Sequence, residues 1–239
     1  MKSKDERSVP PDTEEEQTAW QQHDLSHFRS TTGENLFDVH RHFANWRNDA
    51  DPGGYGIYLE ALDSAPQTRV SRKAGPDELI NLASYNYLGL SCRPEVIAAA
   101  QAALGKYGLG AGGSPHLSGL MAIHEELVSA LATHKGTEAA LLFPSGYSAS
   151  IGAISALTGP EDCVIADLSA HASLMDGCQL AQSKLMLFRH NDVSNLRKRL
   201  SRAKGRKLVV VEGVYSMDGD IAPLDEVATL CREYDARLM

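Results

Sequence analysis

The chain from residue 139 onward alternates short apolar runs with segments in which apolar residues recur every three or four positions. The runs have the length of buried strands, and the recurring segments have the period of helices that cover a sheet. The predicted strands are 139–143, 163–167, 184–188 and 207–212, with a fifth that begins at Arg237. The helices predicted between them are 148–157, 172–181, 193–203 and 224–234. Because a helical crossover returns the chain to the same end of a sheet, the pattern predicts an α/β fold with a three-layer, mostly parallel sheet.

The first strand and helix of this series, residues 138–153, read EAALLFPSGYSASIGA, with turn residues at the junction. A turn of this kind presents free backbone N–H groups and the positive end of a helix dipole to solvent, which suits a phosphate. Ser145 adds a hydroxyl group, and Gly146 allows the backbone to approach an anion closely. The alternative is a strand-to-helix turn whose glycine serves packing alone.

Polar side chains follow each predicted strand, and the carboxyl ends of parallel strands meet at one edge of the sheet, where open α/β folds bind ligands. They are Ser145, Gly146 and Tyr147 after the first strand, Asp167 and His171 after the second, His190, Asn191 and Asp192 after the third, and Glu212 and residues 215–220 after the fourth. Structural alternatives are His171 as a helix cap, Asp192 as an N-cap residue and residues 218–220 as a turn. Their joint placement favours a site that holds a phosphorylated cofactor, which itself carries the chemistry.

Charge, cysteine spacing and missing motifs narrow the classes of function. The formal net charge of −8 argues against a nucleic-acid footprint and against binding to anionic membrane surfaces. The four cysteines lie far apart without a CxxC pair, which indicates a reducing, cytoplasmic setting without a zinc or disulfide framework. No long apolar segment predicts a membrane span, and the HxH pair of His40 and His42 has no third metal ligand in view. The absence of GxSxG, and of GxGxxG directly after a strand, disfavours a hydrolase elbow and hydride transfer.

The first part of the chain is less regular. Residues 1–29 are polar and are predicted to form a mobile extension. The elements predicted next are an amphipathic helix at 37–46, an edge strand at 55–62, a strand-like run at 79–83, a helix with a buried stripe from Pro94 to Gly108, and a helix around 123–131. Residues 108–119 contain five glycines, a density that predicts positive φ angles or close backbone approach.

Six motifs occur in order along the chain. They are LINLASYNYLGL, YGLGAGGSPHLSG, ALLFPSGYSAS, DLSAHASLMDG, FRHNDVSNLRKRL and VEGVYSMDGDIAPL. Together they resemble the α-oxoamine synthases over residues 79–239. These are pyridoxal-phosphate enzymes of the fold-type-I aminotransferase superfamily, among them 8-amino-7-oxononanoate synthase, 2-amino-3-ketobutyrate CoA ligase, 5-aminolevulinate synthase and serine palmitoyltransferase. The resemblance implies an aspartate aminotransferase-like sheet, a homodimer, and pyridoxal 5'-phosphate (PLP) as cofactor.

The resemblance also implies an activity and roles for particular residues. The activity is a decarboxylative condensation of a small amino acid with an acyl thioester, carried on CoA or on an acyl carrier protein, to an α-amino ketone. Gly146 and Tyr147 match the pair whose backbone holds the cofactor phosphate, beside Ser145 in the same turn. His171 matches the histidine that stacks on the pyridine ring and positions the amino acid.

Four further residues receive roles from the same resemblance. Glu212 and Ser216 match residues that bond around the cofactor and its substrate adduct, so Glu212 joins His171 as a candidate catalytic residue. Ser114 and His116 resemble the segment that lines the acyl-substrate side near the dimer interface. The SYNYLG segment resembles serine palmitoyltransferase, whereas GGSPHLSG and SMDGD resemble the oxononanoate synthase, so the substrate stays open.

One part of the family pattern has no counterpart here. The family continues with a strand ending in VDEAH and, later, with the lysine that binds the cofactor covalently, and none of the 239 residues matches that lysine. The chain is therefore expected to be the N-terminal portion of a longer enzyme and to be inactive alone. Its expected parts are an extension over 1–30, an N-terminal helix and small-domain segment over 31–108, and an incomplete large domain over 109–239. The alternatives are a non-catalytic partner subunit and an inactive fragment of such an enzyme.

Overall fold

The computed structural model describes residues 35, 37–50, 61–73 and 78–239. Contacts divide the chain into two units, one ending at Gly110 and one comprising Ala111–Met239. The extension predicted over residues 1–30 and most of the strand predicted at 55–62 lie outside the described residues. The domain limits predicted from the sequence stay predictions.

Among its described residues, the first unit contains two α-helices, a short 3₁₀ helix and a small antiparallel pair of strands. Its elements are α1 (Asp38–Ala50), β1 (Arg69–Ser71), β2 (Glu78–Ile80), a short 3₁₀ helix (Leu90–Cys92) and α2 (Pro94–Tyr107). Proline at the first position of α2 and Gly108 after its last, with a φ of 77°, confirm the two predicted helix ends. The strand predicted at 79–83 stops at Ile80, because Asn81 turns the chain by accepting the N–H of Ala83 on its side chain. The predicted buried stripe of α2 is wrong for the described unit, in which no residue of that helix is buried.

The second unit is built on a parallel sheet of four strands. They are β3 (Cys163–Asp167), β4 (Lys184–Phe188), β5 (Lys207–Val210) and β6 (Ala236–Leu238). Their order across the sheet is β4-β3-β5-β6, and Cys163 of β3 pairs with both Lys184 and Lys207. The parallel sheet predicted from the alternation is thus confirmed.

Helices cover both faces of this sheet and complete the three predicted layers. The helices of the unit are α3 (Ala122–Lys135), α4 (Gly146–Leu157), α5 (Ala172–Ala181), α6 (Val193–Leu200) and α7 (Leu224–Glu233). On one face, Ile165 of β3 packs in a cluster with residues of α6 and α7. On the other face, Val164 packs with residues of α4 and α5. Alternate residues of β3 therefore enter opposite cores, and all five are fully buried.

The strand predicted at residues 139–143 is wrong. These residues have no regular structure, and Leu141 is 84% exposed. A strand is stable only with a hydrogen-bonded neighbour, and no described strand pairs with this run. The helix that follows starts at Gly146 rather than at residue 148, because Ser145 caps it. Strand β5 and helices α6 and α7 end one to three residues before their predicted limits.

The edge of the sheet at the start of its strands is fixed by an ion pair and a tight turn. Asp162 is buried and accepts two hydrogen bonds of 2.7 Å from the Arg206 guanidinium. Gly205 has a φ of 75°, and a Cβ there would lie 2.0 Å from the carbonyl oxygen of Glu161. Only glycine allows this approach, so residues 161–162 and 205–206 are held together before β3 and β5 begin.

Candidate functional site

The N-terminus of α4 leaves two backbone donors open to solvent. Ser145 Oγ accepts the N–H of Ser148 at 3.1 Å, and Ser148 Oγ accepts the N–H of Ser145 at 3.2 Å, which forms a reciprocal cap. Gly146 and Tyr147 are exposed, and their N–H groups form no hydrogen bond with any described residue. A Cβ at Gly146 would meet nothing within 4 Å. Ser145, Gly146 and Tyr147, here called the phosphate cup, thus offer an anion an accessible pair of donors at the positive end of a helix dipole.

A side-chain hydrogen bond connects the phosphate cup to the next helix. The Tyr147 hydroxyl donates to Asp176 Oδ2 over 2.6 Å. This bond to the carboxylate raises the pKa of Tyr147, because Asp176 favours the protonated phenol. Asp176 lies on α5, five residues after His171. The sequence offered no signal for this pair, since its members lie 29 residues apart and their meeting depends on how α4 packs on α5.

His171 is the N-cap residue of α5. Its Nδ1 accepts the N–H of Ser173 at 3.1 Å and lies 2.8 Å from Ser173 Oγ. The capping alternative considered from the sequence is therefore confirmed, and the residue remains exposed. Because Nδ1 accepts from a backbone N–H, the neutral ring carries its proton on Nε2.

The two candidate catalytic residues are in direct contact. The backbone N–H of His171 donates to Glu212 Oε1. This hydrogen bond joins the turn after β3 to the segment after β5, as expected for residues that follow neighbouring parallel strands. Ser216 lies farther along the same segment, exposed in the turn 216–218.

The glycine-rich loop forms a tight turn of its own. Ser114 and His116 are exposed there, and no described hydrogen bond links them to His171 or Glu212. A Cβ at Gly119 would lie 1.9 Å from the carbonyl oxygen of Gly113. This confirms the predicted close backbone approach within the loop, while the predicted roles of Ser114 and His116 stay predictions.

A polar cluster lies at the carboxyl ends of β3 and β4. His190 Nδ1 is 2.8 Å from Oδ1 of the fully buried Asp167, and Nε2 is 2.8 Å from Asp220 Oδ2. Asn191 donates its N–H to Asp167 Oδ2 at 2.9 Å and its side-chain amide to Asp220 Oδ2 at 2.7 Å. The hydrogen bond to Asp167, with a further contribution from Asp220, raises the pKa of His190. The pattern of polar residues at strand ends predicted His190 at this edge of the sheet, but it did not identify Asp167 and Asp220 as its partners.

Tyr215 packs against this cluster. Its ring is 1% exposed and meets the His190 ring edge-on, with 4.5 Å between ring centroids. The hydroxyl forms no hydrogen bond with the described residues, and burial, reinforced by the charge of Asp167, raises the pKa of Tyr215. The backbone N–H of Tyr215 donates to the carbonyl oxygen of Asp220 at 2.9 Å, which closes the segment after β5 into a compact loop.

Comparisons with known proteins identify the family to which the chain is similar. Residues 77–239 match the family model described as aminotransferase class I and II. The chain is 47% identical over 164 residues to an 8-amino-7-oxononanoate synthase of Geobacter sulfurreducens, an alignment that covers 68% of this chain and 42% of that protein. It is 42% identical over 187 residues to a serine palmitoyltransferase of Sphingomonas paucimobilis, which covers 77% of this chain and 44% of that protein.

The fold also has solved neighbours. A serine palmitoyltransferase from S. paucimobilis with a bound PLP–myriocin aldimine superposes with a TM-score of 0.80 and 37% identity, over 86% of this chain and 52% of that chain. The chain therefore spans about half the length of the relatives it matches. Among the described residues, no helix is both long and apolar enough to cross a membrane. The matches confirm the resemblance predicted from the six motifs.

Proposed function

The chain belongs to the aminotransferase class I and II family, and from that premise we propose that it provides the phosphate cup and the ring-stacking histidine of a PLP-dependent α-oxoamine synthase. The proposed reaction is the decarboxylative condensation of a small amino acid with an acyl thioester to an α-amino ketone. The observation that carries the proposal is the open phosphate cup, bonded through Tyr147 and Asp176 to the helix that His171 caps.

The residues of the phosphate cup fit the phosphate of PLP. The N–H groups of Gly146 and Tyr147 are free to donate to its oxygens, and no side chain at Gly146 blocks the approach. When bound, PLP supplies an electron sink for the α-carbon of the amino acid. The protein supplies the phosphate contacts, the face on which the ring stacks and the donors that hold the substrate.

His171 and Glu212 have separable parts in this proposal. His171 offers its exposed ring face for stacking and its Nε2 proton for the substrate carboxylate, since Nδ1 is occupied by the cap of α5. Glu212 fixes the backbone of His171 by accepting its N–H, and its other carboxylate oxygen is free to orient groups near the cofactor. Ser216 is proposed to bond at the cofactor from the same segment.

The acyl side and the assembly belong to the same proposal. Ser114 and His116 are proposed to line the side of the site that binds the acyl thioester. The acyl group would be carried on CoA or on an acyl carrier protein. The complete enzyme is proposed to be a cytoplasmic homodimer. Support comes from relatives at 42–47% identity, which are named as an oxononanoate synthase and a serine palmitoyltransferase. A non-catalytic partner subunit would need neither an open phosphate cup nor an exposed imidazole.

The test combines binding and turnover in the protein produced from its complete coding region. Thiol release from acyl-CoA is measured with glycine, alanine or serine, with and without PLP. We expect release to require both PLP and one of the amino acids, and we expect added PLP to slow amide exchange at Gly146 and Tyr147. Turnover that does not depend on PLP, or PLP binding that leaves these amides unprotected, would refute the proposal.

A further inference from the structure

His190 joins three segments of the second unit. It follows β4, and its ring bonds to Asp167 at the end of β3 and to Asp220 in the loop after β5. We propose that His190 is a positioning residue. Its ring bonds at both nitrogens and holds the loop after β5 next to the end of β3. The Glu212 carboxylate therefore stays hydrogen-bonded to the backbone N–H of His171. The effect of this contact on a bound cofactor rests on the proposed function. The hydrogen bond between Glu212 and His171 is itself present in the structure.

The geometry suits a ring that donates from both nitrogens. Each ring nitrogen lies 2.8 Å from a carboxylate oxygen, and an ionised carboxylate only accepts. A ring that donates from both nitrogens is an imidazolium, the form that the raised pKa of His190 favours. Asp167 is fully buried, so this positive partner also offsets the cost of removing its charge from water.

A metal ion is the competing interpretation of the same cluster. His190, Asp218 and Asp220 offer ligand atoms that lie within 4.8 Å of one another. A histidine binds a metal through a ring lone pair, but each ring nitrogen of His190 already lies 2.8 Å from a carboxylate oxygen. The imidazolium thus takes the position that a cation would occupy.

Both partners of the His171–Glu212 bond are anchored to this cluster. On the side of His171, Asp167 Oδ1 accepts the N–H of Ser169 at 2.8 Å, two residues before His171. On the side of Glu212, the backbone N–H of Tyr215 donates to Asp220, whose carboxylate bonds to His190. The His190 ring connects these two anchors directly. Asn191 supports the same connection, through its backbone N–H on Asp167 and its side-chain amide on Asp220.

The connection depends on pH in a defined direction. The charged groups that face His190 are Asp167 from β3 and Asp218 and Asp220 from the loop, with the titratable Tyr215 packed on its ring. The hydrogen bond to Asp167, with a further contribution from Asp220, raises the pKa of His190 above its ordinary value of about 6.5. The stability that this connection contributes is therefore fully present below about pH 6.5 and is lost as the pH rises through the raised pKa.

The test uses the intact protein without cofactor. Nitrogen-15 labelling of histidine reports how many protons the His190 ring carries at neutral pH, and its signal is assigned by its loss in His190→Gln. Amide exchange is measured in His190→Gln and in a matched control, His134→Gln, which changes an exposed histidine near the end of α3. We expect two ring protons on His190, and in His190→Gln a loss of protection at the amides of His171 and Tyr215 of about 10- to 100-fold, as for one hydrogen bond to a charged group.

The amides of β3 and β5 are expected to keep their protection in both variants. In the unaltered protein, the protection of the His171 amide should fall as the pH rises through the titration of His190, and it should show no such step in His190→Gln. A single ring proton on His190, or a loss of protection spread evenly over the unit, overturns the proposal. If PLP fails to bind while these changes stay local, the proposed function fails and the positioning role stands.

Discussion

Replacing Gly146 by proline removes one backbone donor from the phosphate cup and leaves α4 in place. Gly146 is the first residue of α4, where proline is accepted because the N–H has no partner within the helix. Ser145 has a φ of −157° and a ψ of 159°, the extended conformation that a residue before proline prefers. The Ser145–Ser148 cap does not use the Gly146 N–H and should survive the change.

The expected effect is confined to anion binding. A hydrogen bond to a charged group contributes about 1.5–3 kcal/mol, so the affinity for PLP should fall by about 10- to 100-fold. The matched control is Gly146→Ala, which keeps the N–H and places its Cβ in open space, and whose affinity should stay near that of the unaltered protein. Neither variant removes a contact and both restrict the unfolded chain, so the free energy of unfolding should stay the same or rise by up to about 1 kcal/mol.

Titration calorimetry with PLP and with inorganic phosphate, combined with thermal unfolding, separates these effects. The reasoning is refuted if both variants lose the same affinity, because a missing donor would then not be the cause. It is also refuted if Gly146→Pro binds PLP as tightly as Gly146→Ala while remaining folded.

Three other changes test the site and its support. His171→Ala should cost about 1 kcal/mol of stability as a lost helix cap and abolish most turnover, whereas unaltered turnover would leave His171 with its capping role alone. Gly205→Ala should destabilise the protein by more than about 1 kcal/mol in thermal unfolding, because its φ of 75° and a carbonyl oxygen 2.0 Å from the new Cβ both oppose it. Gly159→Ala, whose Cβ meets nothing, is the control for that change. The hydrogen bonds from Arg206 lower the pKa of Asp162, so the stability this pair contributes should be present above about pH 4 and be lost as the pH falls through the lowered pKa, and Asp162→Asn should remove that step from the acid unfolding curve.

The sequence predicted elements whose stabilising contacts are encoded locally, and it missed those that depend on distant partners. Strand β3 was predicted with its observed limits because its residues before Asp167 are all apolar and the helix after it has a clear period. Residues 139–143 are equally apolar, but a strand also needs a neighbour, and apolarity does not identify one.

The candidate site divides in the same way. The contact between His171 and Glu212 follows from the rule that the carboxyl ends of parallel strands meet at one edge of the sheet. This rule needs only the pattern of strands predicted from the sequence. The partners of Tyr147 and His190 depend on helix packing and on the path of the loop after β5, and no spacing in the sequence encodes them. The sequence could have predicted the cap at Ser145, because Ser148, three residues later, can accept the N–H of Ser145 on its hydroxyl oxygen.

The order of the strands has an evolutionary consequence. From β3 the chain adds β4 on one side and then returns to add β5 on the other, so the connections leaving β3 and β5 run to opposite faces of the sheet, through α5 and α7 respectively. Between two such strands a parallel sheet has a topological switch point, where a crevice forms at the carboxyl ends. His171 and Glu212 follow β3 and β5 and meet at this point. Changes in the loops that follow these two strands can therefore alter what the crevice accepts without changing the packing of the strands beneath, which is how one sheet can diversify to serve different substrates.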